Sequence, residues 1–183
     1  MKKTALITGA SSGIGLELAK IHASKGDNLV LVARSTSKLE ELKKELEPQH
    51  GITVNIIGKD LSKLNSAAEV YNELKGKNIT IDYLINNAGF GDSGFFFDSN
   101  WEKQEQMINL NITTLTHFTR LFLKDMVERK SGKVLNIAST AAFQPGPTMS
   151  VYCATKSYVL SFSEAINNEV KDFGVTVTAL CPG

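Results

Sequence analysis

Apolar and polar positions along the chain follow two rhythms. Short apolar, β-branched runs read as buried strands: TALIT at 4–8, NLVLVA at 28–33, ITVNII at 52–57, IDYLIN at 81–86, GKVLNIAS at 132–139 and VTVTAL at 175–180. Between them apolar residues recur at the three-to-four spacing of a helix face. Ile14, Leu18 and Ile21 mark a first helix that stops at Gly26. A second starts near Ser35, where Ser37 and Glu40 have capping-box spacing, and Pro48 with Gly51 mark its end. Further helices are expected from about Ser62 to Lys75, from Trp101 to Lys130, and from Ser150 to just before Gly174.

Strands this apolar need cover on both faces, which a parallel sheet between helix layers provides. Right-handed crossovers then give a doubly wound α/β sheet. No repeat, linker or low-complexity tract divides residues 1–183, so one domain is expected. The sixth strand, as a sheet edge, would be apolar and unprotected. The expectation is therefore a domain that lacks a C-terminal part, the front of a longer chain.

Composition changes little in this picture. The chain is 42% hydrophobic and 21% charged with net charge +1, a balance that calls for neither nucleic acid nor an anionic membrane. The lysine pair at the start precedes an apolar stretch that Thr8 and Gly9 break too early for a signal peptide. No run approaches the roughly 18 apolar residues of a membrane span. Cys153, Cys181 and the scattered His22, His50 and His117 have no metal spacing, so no metal is expected. Cys153 reads as a packing residue. A reduced, cytoplasmic setting fits.

Two stretches carry chemistry. Thr8-Gly9-Ala10-Ser11-Ser12-Gly13-Ile14-Gly15 joins the first strand to the first helix. Glycines let backbone turn tightly and approach a ligand, and a helix N-terminus is an anion site. The alternative is a tight turn with no ligand. Farther on, Tyr152 and Lys156 stand four apart in a helical run and share a face. A free phenol titrates near pH 10, and a neighbouring ammonium favours its phenolate. Such a pair can exchange a proton with a carbonyl or alcohol. The alternative is a surface tyrosine beside a solvated lysine.

TGASSGIG, Asn86-Asn87-Ala88-Gly89, Ser139 and Tyr152-xxx-Lys156, in this order and on these elements, resemble the short-chain dehydrogenase/reductase family over the whole chain. The resemblance implies a Rossmann-like fold and a hydride-transferring oxidoreductase with Tyr152 as general acid/base. It implies that Lys156 bonds the nicotinamide ribose, that Ser139 faces the developing alkoxide, and that Asn111 holds a water in the proton relay. Asn109 competes with Asn111, whose distance from Ser139 fits the family register better. Gly9, Ser11, Ser12, Gly13, Ile14 and Gly15 would cradle the cofactor, with Asp60 at the adenine and Leu61 beside it. Asn87, Ala88, Gly89, Pro182 and Gly183 would run along it. A helix-start role for Asp60 and a sheet-steadying role for Asn87 to Gly89 are rivals.

The second strand ends at Arg34, where an acid would favour NAD. A guanidinium there suits a 2′-phosphate, so NADP(H) is expected over NAD(H). Phe90, Phe95 to Phe97 and Phe143 to Pro147 should flank the cleft, pointing to an apolar carbonyl or alcohol, unless these aromatics pack their own loops. Leu115, Phe118, Phe122, Val159, Phe162 and Ile166 resemble a four-helix interface of a homodimer or homotetramer, or else cover the sheet. The rival functions are a dinucleotide-binding module without turnover and an epimerase or dehydratase.

Overall fold

The computed structural model describes residues 2–183. Six parallel strands run β1 (Thr4–Thr8), β2 (Asn28–Ala33), β3 (Val54–Gly58), β4 (Tyr83–Asn86), β5 (Gly132–Ile137) and β6 (Val175–Leu180). They lie side by side in the order β3-β2-β1-β4-β5-β6. The chain order reverses between β1 and β4, which opens a crevice at the carboxyl ends of those strands. This is the expected Rossmann-like, doubly wound arrangement.

Two apolar layers hold it. Helices α1 (Gly13–Ser24) and α2 (Thr36–His50) cover one face, with Leu39, Leu42 and Leu46 packed on Ile7, Leu29 and Leu31. Helices α3 (Ser66–Gly76), α5 (Leu115–Glu128) and α6 (Ser150–Val170) cover the other, where Phe118, Phe122 and Met126 meet Leu6, Leu84 and Val134. Leu115, Phe118, Phe122 and Val159 are buried within this chain, and Phe162 and Ile166 pack partly against the same layer. These six therefore cover the sheet.

Several expected elements shift. In α1 the buried side is Gly15, Ala19 and Ala23, while Ile14 and Ile21 are 38% and 47% exposed. Small residues let this helix sit close to the sheet; of the expected stripe Leu18 packs partly against the core, while Ile14 and Ile21 turn outward. Ser37 and Glu40 form no capping box: α2 begins at Thr36 with Ser35 at its cap and no side-chain cap bond. It also passes Pro48 by two residues, to a left-handed Gly51 with φ +61°. Helix α3 starts at Ser66 because Asp60 closes a turn onto Ser62 and Asn65 is left-handed. The single helix expected from Trp101 to Lys130 is three pieces: α4 (Trp101–Ile108), a π-helical segment (Asn109–Thr114) and α5. Single π turns concentrate at functional positions, and this one carries Asn111.

Candidate active site

The site grows from the crevice between β1 and β4. Gly9 leaves β1 with φ +66°, and its N–H reaches the Val32 carbonyl at 2.8 Å. A Cβ on Gly9 would lie 2.8 Å from Asn87 Nδ2, and one on Gly15 2.4 Å from the same atom. Both glycines are thus required by close backbone packing. Asn87 donates from Nδ2 to the carbonyls of Thr8 and Gly9 at 2.8 and 3.2 Å. Thr8 Oγ1 accepts from the N–H groups of Asn87 and Ala88 at 3.0 and 2.9 Å. Thr8 and Asn87 so zip the glycine loop to the loop after β4. Ser12 precedes α1 without a side-chain cap bond, and no acid stands in the first turn of that helix. Its N-terminal N–H groups face no competing carboxylate, which leaves the positive dipole end free for an anion.

One cleft of about 920 Å³ runs from this loop past the ends of β2, β3 and β5. Of the catalytic and cofactor-binding residues expected from the sequence, all but Gly13, Gly15 and Asn111 line it. At one end Arg34 is exposed beside Asp60, whose carboxylate accepts from Ser62 N and Oγ at 3.0 and 2.7 Å. Those Ser62 bonds, with the Arg34 and Lys63 charges, hold the Asp60 carboxyl below its ordinary value. Leu61 is buried, and its carbonyl accepts from Thr114 Oγ1 at 2.8 Å.

At the other end stand Ser139, Tyr152 and Lys156. Lys156 is 6% exposed, and its Nζ donates to the Ile137 carbonyl at 2.7 Å. Burial pushes its ammonium down to about 8, partly offset by Cys181. The same Nζ lies 5.7 Å from the Tyr152 ring centroid. Ser139 Oγ accepts from Ala141 N at 3.1 Å, which leaves its own proton available. Thr140 N donates to the Pro182 carbonyl at 2.9 Å and so holds Pro182 against this corner. Asn111 is buried behind it and bonds Thr155 Oγ1 at 3.0 Å.

A model of short chain dehydrogenases matches residues 3–183. The chain belongs to the short-chain dehydrogenase family. It is 37% identical to 17-beta-hydroxysteroid dehydrogenase type 3 of Mus musculus, over the whole chain and 60% of that protein. It is 34% identical to very-long-chain 3-oxoacyl-CoA reductase of Anas platyrhynchos, over 97% of the chain and 58% of that protein. The chain thus spans about three fifths of the length of these relatives. A short-chain dehydrogenase from Sphingobium yanoikuyae in complex with NADPH superposes with TM-score 0.93 at 39% identity, over 98% of this chain and 70% of that one. The bulky-bulky ketone specific alcohol dehydrogenase from Comamonas testosteroni also gives TM-score 0.93, at 37% identity over 98% of this chain and 72% of that one.

In this chain the aromatic loops sit differently from expectation. Only Phe90 lines the cleft. Phe95, Phe96, Phe97 and Phe143 are 60–83% exposed, and a bond from Gly94 N to the Thr148 carbonyl ties the two loops together at 2.8 Å. Sequence reasoning missed Thr8, Gly91 and Thr155. Their signal lies in contacts across 79, 61 and 44 positions, which no local spacing reports. Cys153 is buried against Gly146. Among the described residues no three His, Cys, Asp or Glu side chains form a metal cluster, and no helix is long and apolar enough to cross a membrane.

Proposed function

We propose that this chain carries the nucleotide site and the proton-transfer machinery of an NADP(H)-dependent oxidoreductase acting on a carbonyl or alcohol with bulky apolar substituents. The observation that carries this reading is one continuous cleft with a free guanidinium at one end and Tyr152, Ser139 and a buried Lys156 at the other. The residues fit a dinucleotide phosphate: an uncapped, acid-free helix start, a glycine loop zipped open by Asn87, and Arg34 where a 2′-phosphate would lie. The nicotinamide, when bound, supplies or accepts hydride.

The chain's own groups supply the rest. The Tyr152 phenol gives its proton to the carbonyl oxygen in reduction and takes one back in oxidation. Lys156, protonated at neutral pH, holds its ammonium 5.7 Å from the centre of the phenol ring. Its Nζ keeps two N–H donors beyond the Ile137 bond for a ribose hydroxyl. Ser139 donates its free proton to the oxygen on which charge develops. NADPH- and NADP-bound family members with the same fold support the cofactor assignment. The named substrates of the relatives, a bulky ketone and a hydroxysteroid among them, support the substrate class.

Titration of the 183-residue chain with NADPH and NADH, then with bulky aryl ketones, tests the reading. NADPH is expected to bind more tightly, and Arg34→Asp to weaken it by roughly ten- to a hundredfold while sparing NADH, the scale of one charge-assisted contact. An unchanged NADPH-to-NADH ratio in Arg34→Asp would contradict the 2′-phosphate assignment.

A further inference from the structure

Residues 89–91 of the loop after β4 pass between Asn111 and Tyr152, and two of these three, Gly89 and Gly91, carry no side chain. Asn111 spends its whole amide on that loop and on α6. Its Oδ1 accepts from Phe90 N at 3.2 Å, and its Nδ2 donates to the Phe90 carbonyl at 3.0 Å and to Thr155 Oγ1 at 3.0 Å. The amide thus pairs with both backbone groups of Phe90, as a neighbouring strand would. Thr155 Oγ1 in turn donates to the Tyr152 carbonyl at 2.8 Å, which anchors the clamp to the turn that bears Tyr152. Asn111 is 1% and Thr155 1% exposed, so neither has water as an alternative partner.

The clamp sets where residues 89 and 91 lie. A Cβ on Gly89 would come 3.0 Å from Asn111 Oδ1 and 3.7 Å from Lys156 Nζ. A Cβ on Gly91 would come 3.1, 3.3 and 3.3 Å from Cδ2, Cε2 and Cγ of the Tyr152 ring. These are three contacts with the face of one aromatic ring, all tighter than ordinary van der Waals spacing. Gly91 is exposed and its φ lies outside the left-handed region. Its backbone shape therefore does not demand glycine; a side chain there would instead push the Tyr152 ring by a few tenths of an ångström. Helical side chains have few χ1 choices, so the ring cannot step aside freely.

We infer that Gly91 is a positioning residue for Tyr152: the Asn111–Thr155 clamp fixes the 89–91 backbone as a wall, and the bare Gly91 lets the phenol ring rest flat against it. The inference rests on the acid/base reading of Tyr152. It gives the Asn111 side chain a mechanical task of its own, holding the Phe90 backbone and Thr155.

The test is Gly91→Ala in the 183-residue chain. Gly76→Ala serves as the control, since a Cβ there meets nothing within 4 Å. Thr155→Val is a second variant that loosens the clamp without a clash. Fluorotyrosine is incorporated in each, and the residue-152 signal is assigned by its loss in Tyr152→Phe. In Gly91→Ala the residue-152 fluorine signal should move while those of Tyr71, Tyr83 and Tyr158 stay. With a bulky ketone and NADPH, kcat should fall by up to roughly tenfold, since a shift of a few tenths of an ångström is a fraction of the ångström-level misplacement worth about a hundredfold. KM, NADPH affinity and melting temperature should hold, and the pH–rate profile should be displaced. Thr155→Val should move the same signal less. A residue-152 signal unmoved in both variants, or a kcat loss that merely tracks a lower melting temperature, would overturn the inference. If the unmodified chain turns over no ketone, the proposed function fails, and the fluorine signal alone still decides whether Gly91 sets the ring.

Discussion

The two halves of the sheet are built from different materials. Around β1 to β3 the interior is aliphatic, and the site is made of backbone: a left-handed Gly9, a close-packed Gly15 and an uncapped helix start. Around β4 to β6 the interior is threaded with polar side chains. Of the eleven buried polar or charged residues described, only Thr8 and Ser66 precede Asn86. Asn86 donates to Thr119 and Asn136, and Asn136 donates to Ser163, so β4, β5, α5 and α6 are joined through three side-chain bonds of 2.9–3.1 Å. A phosphate-binding half needs N–H groups and room, which backbone supplies. A proton-transferring half needs particular side chains at fixed places. Buried hydrogen bonds hold them there, at the risk of a large penalty if one partner is lost.

That contrast can be broken at its polar end first. Asn136→Ala removes one of the two acceptors of the Asn86 amide and the donor to Ser163 Oγ, which keep their bonds to Thr119 and Val159, and unfolding in denaturant should show a loss of about 2–3 kcal/mol. Ile7→Val, buried in the aliphatic half, should lose only about 1 kcal/mol. Equal losses would erase the distinction.

Lys156→Met should act in the opposite direction. The folded-state value of about 8 lies below the ordinary 10.5, so the unfolded chain binds more protons between those pH values. The burial penalty is full below about pH 8 and fades as pH rises to about 10.5. At neutral pH, Lys156→Met should therefore be more stable than the unmodified chain, by on the order of 1–2 kcal/mol once the Ile137 carbonyl left without its donor is counted. The gap should close through that window. A gap that is flat with pH would mean that burial does not strain this lysine. The smallest effect belongs to Ile21→Ser, which should change stability by less than about 0.5 kcal/mol, because this isoleucine faces outward.

Legibility in the sequence follows the same divide. The strands stood out because parallel strands under helix layers are mostly apolar, even the edge strand β6 with its exposed Thr176 and Thr178, and all six lie where those runs predict, within two residues at either end. The glycine loop and the Tyr152–Lys156 spacing were legible because each is local. The buried face of α1 was not: an apolar stripe of Ile14 and Ile21 outweighs Ala19 and Ala23 by hydropathy, but close helix–sheet packing selects the small residues. The π segment was also hidden, because one extra residue per turn leaves no mark in an apolar period. Gly91, Thr8 and Thr155 act through neighbours far off in the chain, and only the folded backbone brings those neighbours together.

The most direct test of the account compares Tyr152→Phe with the unmodified chain, in NADPH titration and in ketone turnover. Loss of one hydroxyl from the polar half should cut turnover by roughly a hundred- to ten-thousandfold, the usual worth of a general acid. NADPH affinity, carried by the glycine loop, Arg34 and the ribose contact of Lys156, all of which this change leaves in place, should be unchanged. Turnover retained by Tyr152→Phe would contradict the proposed proton transfer.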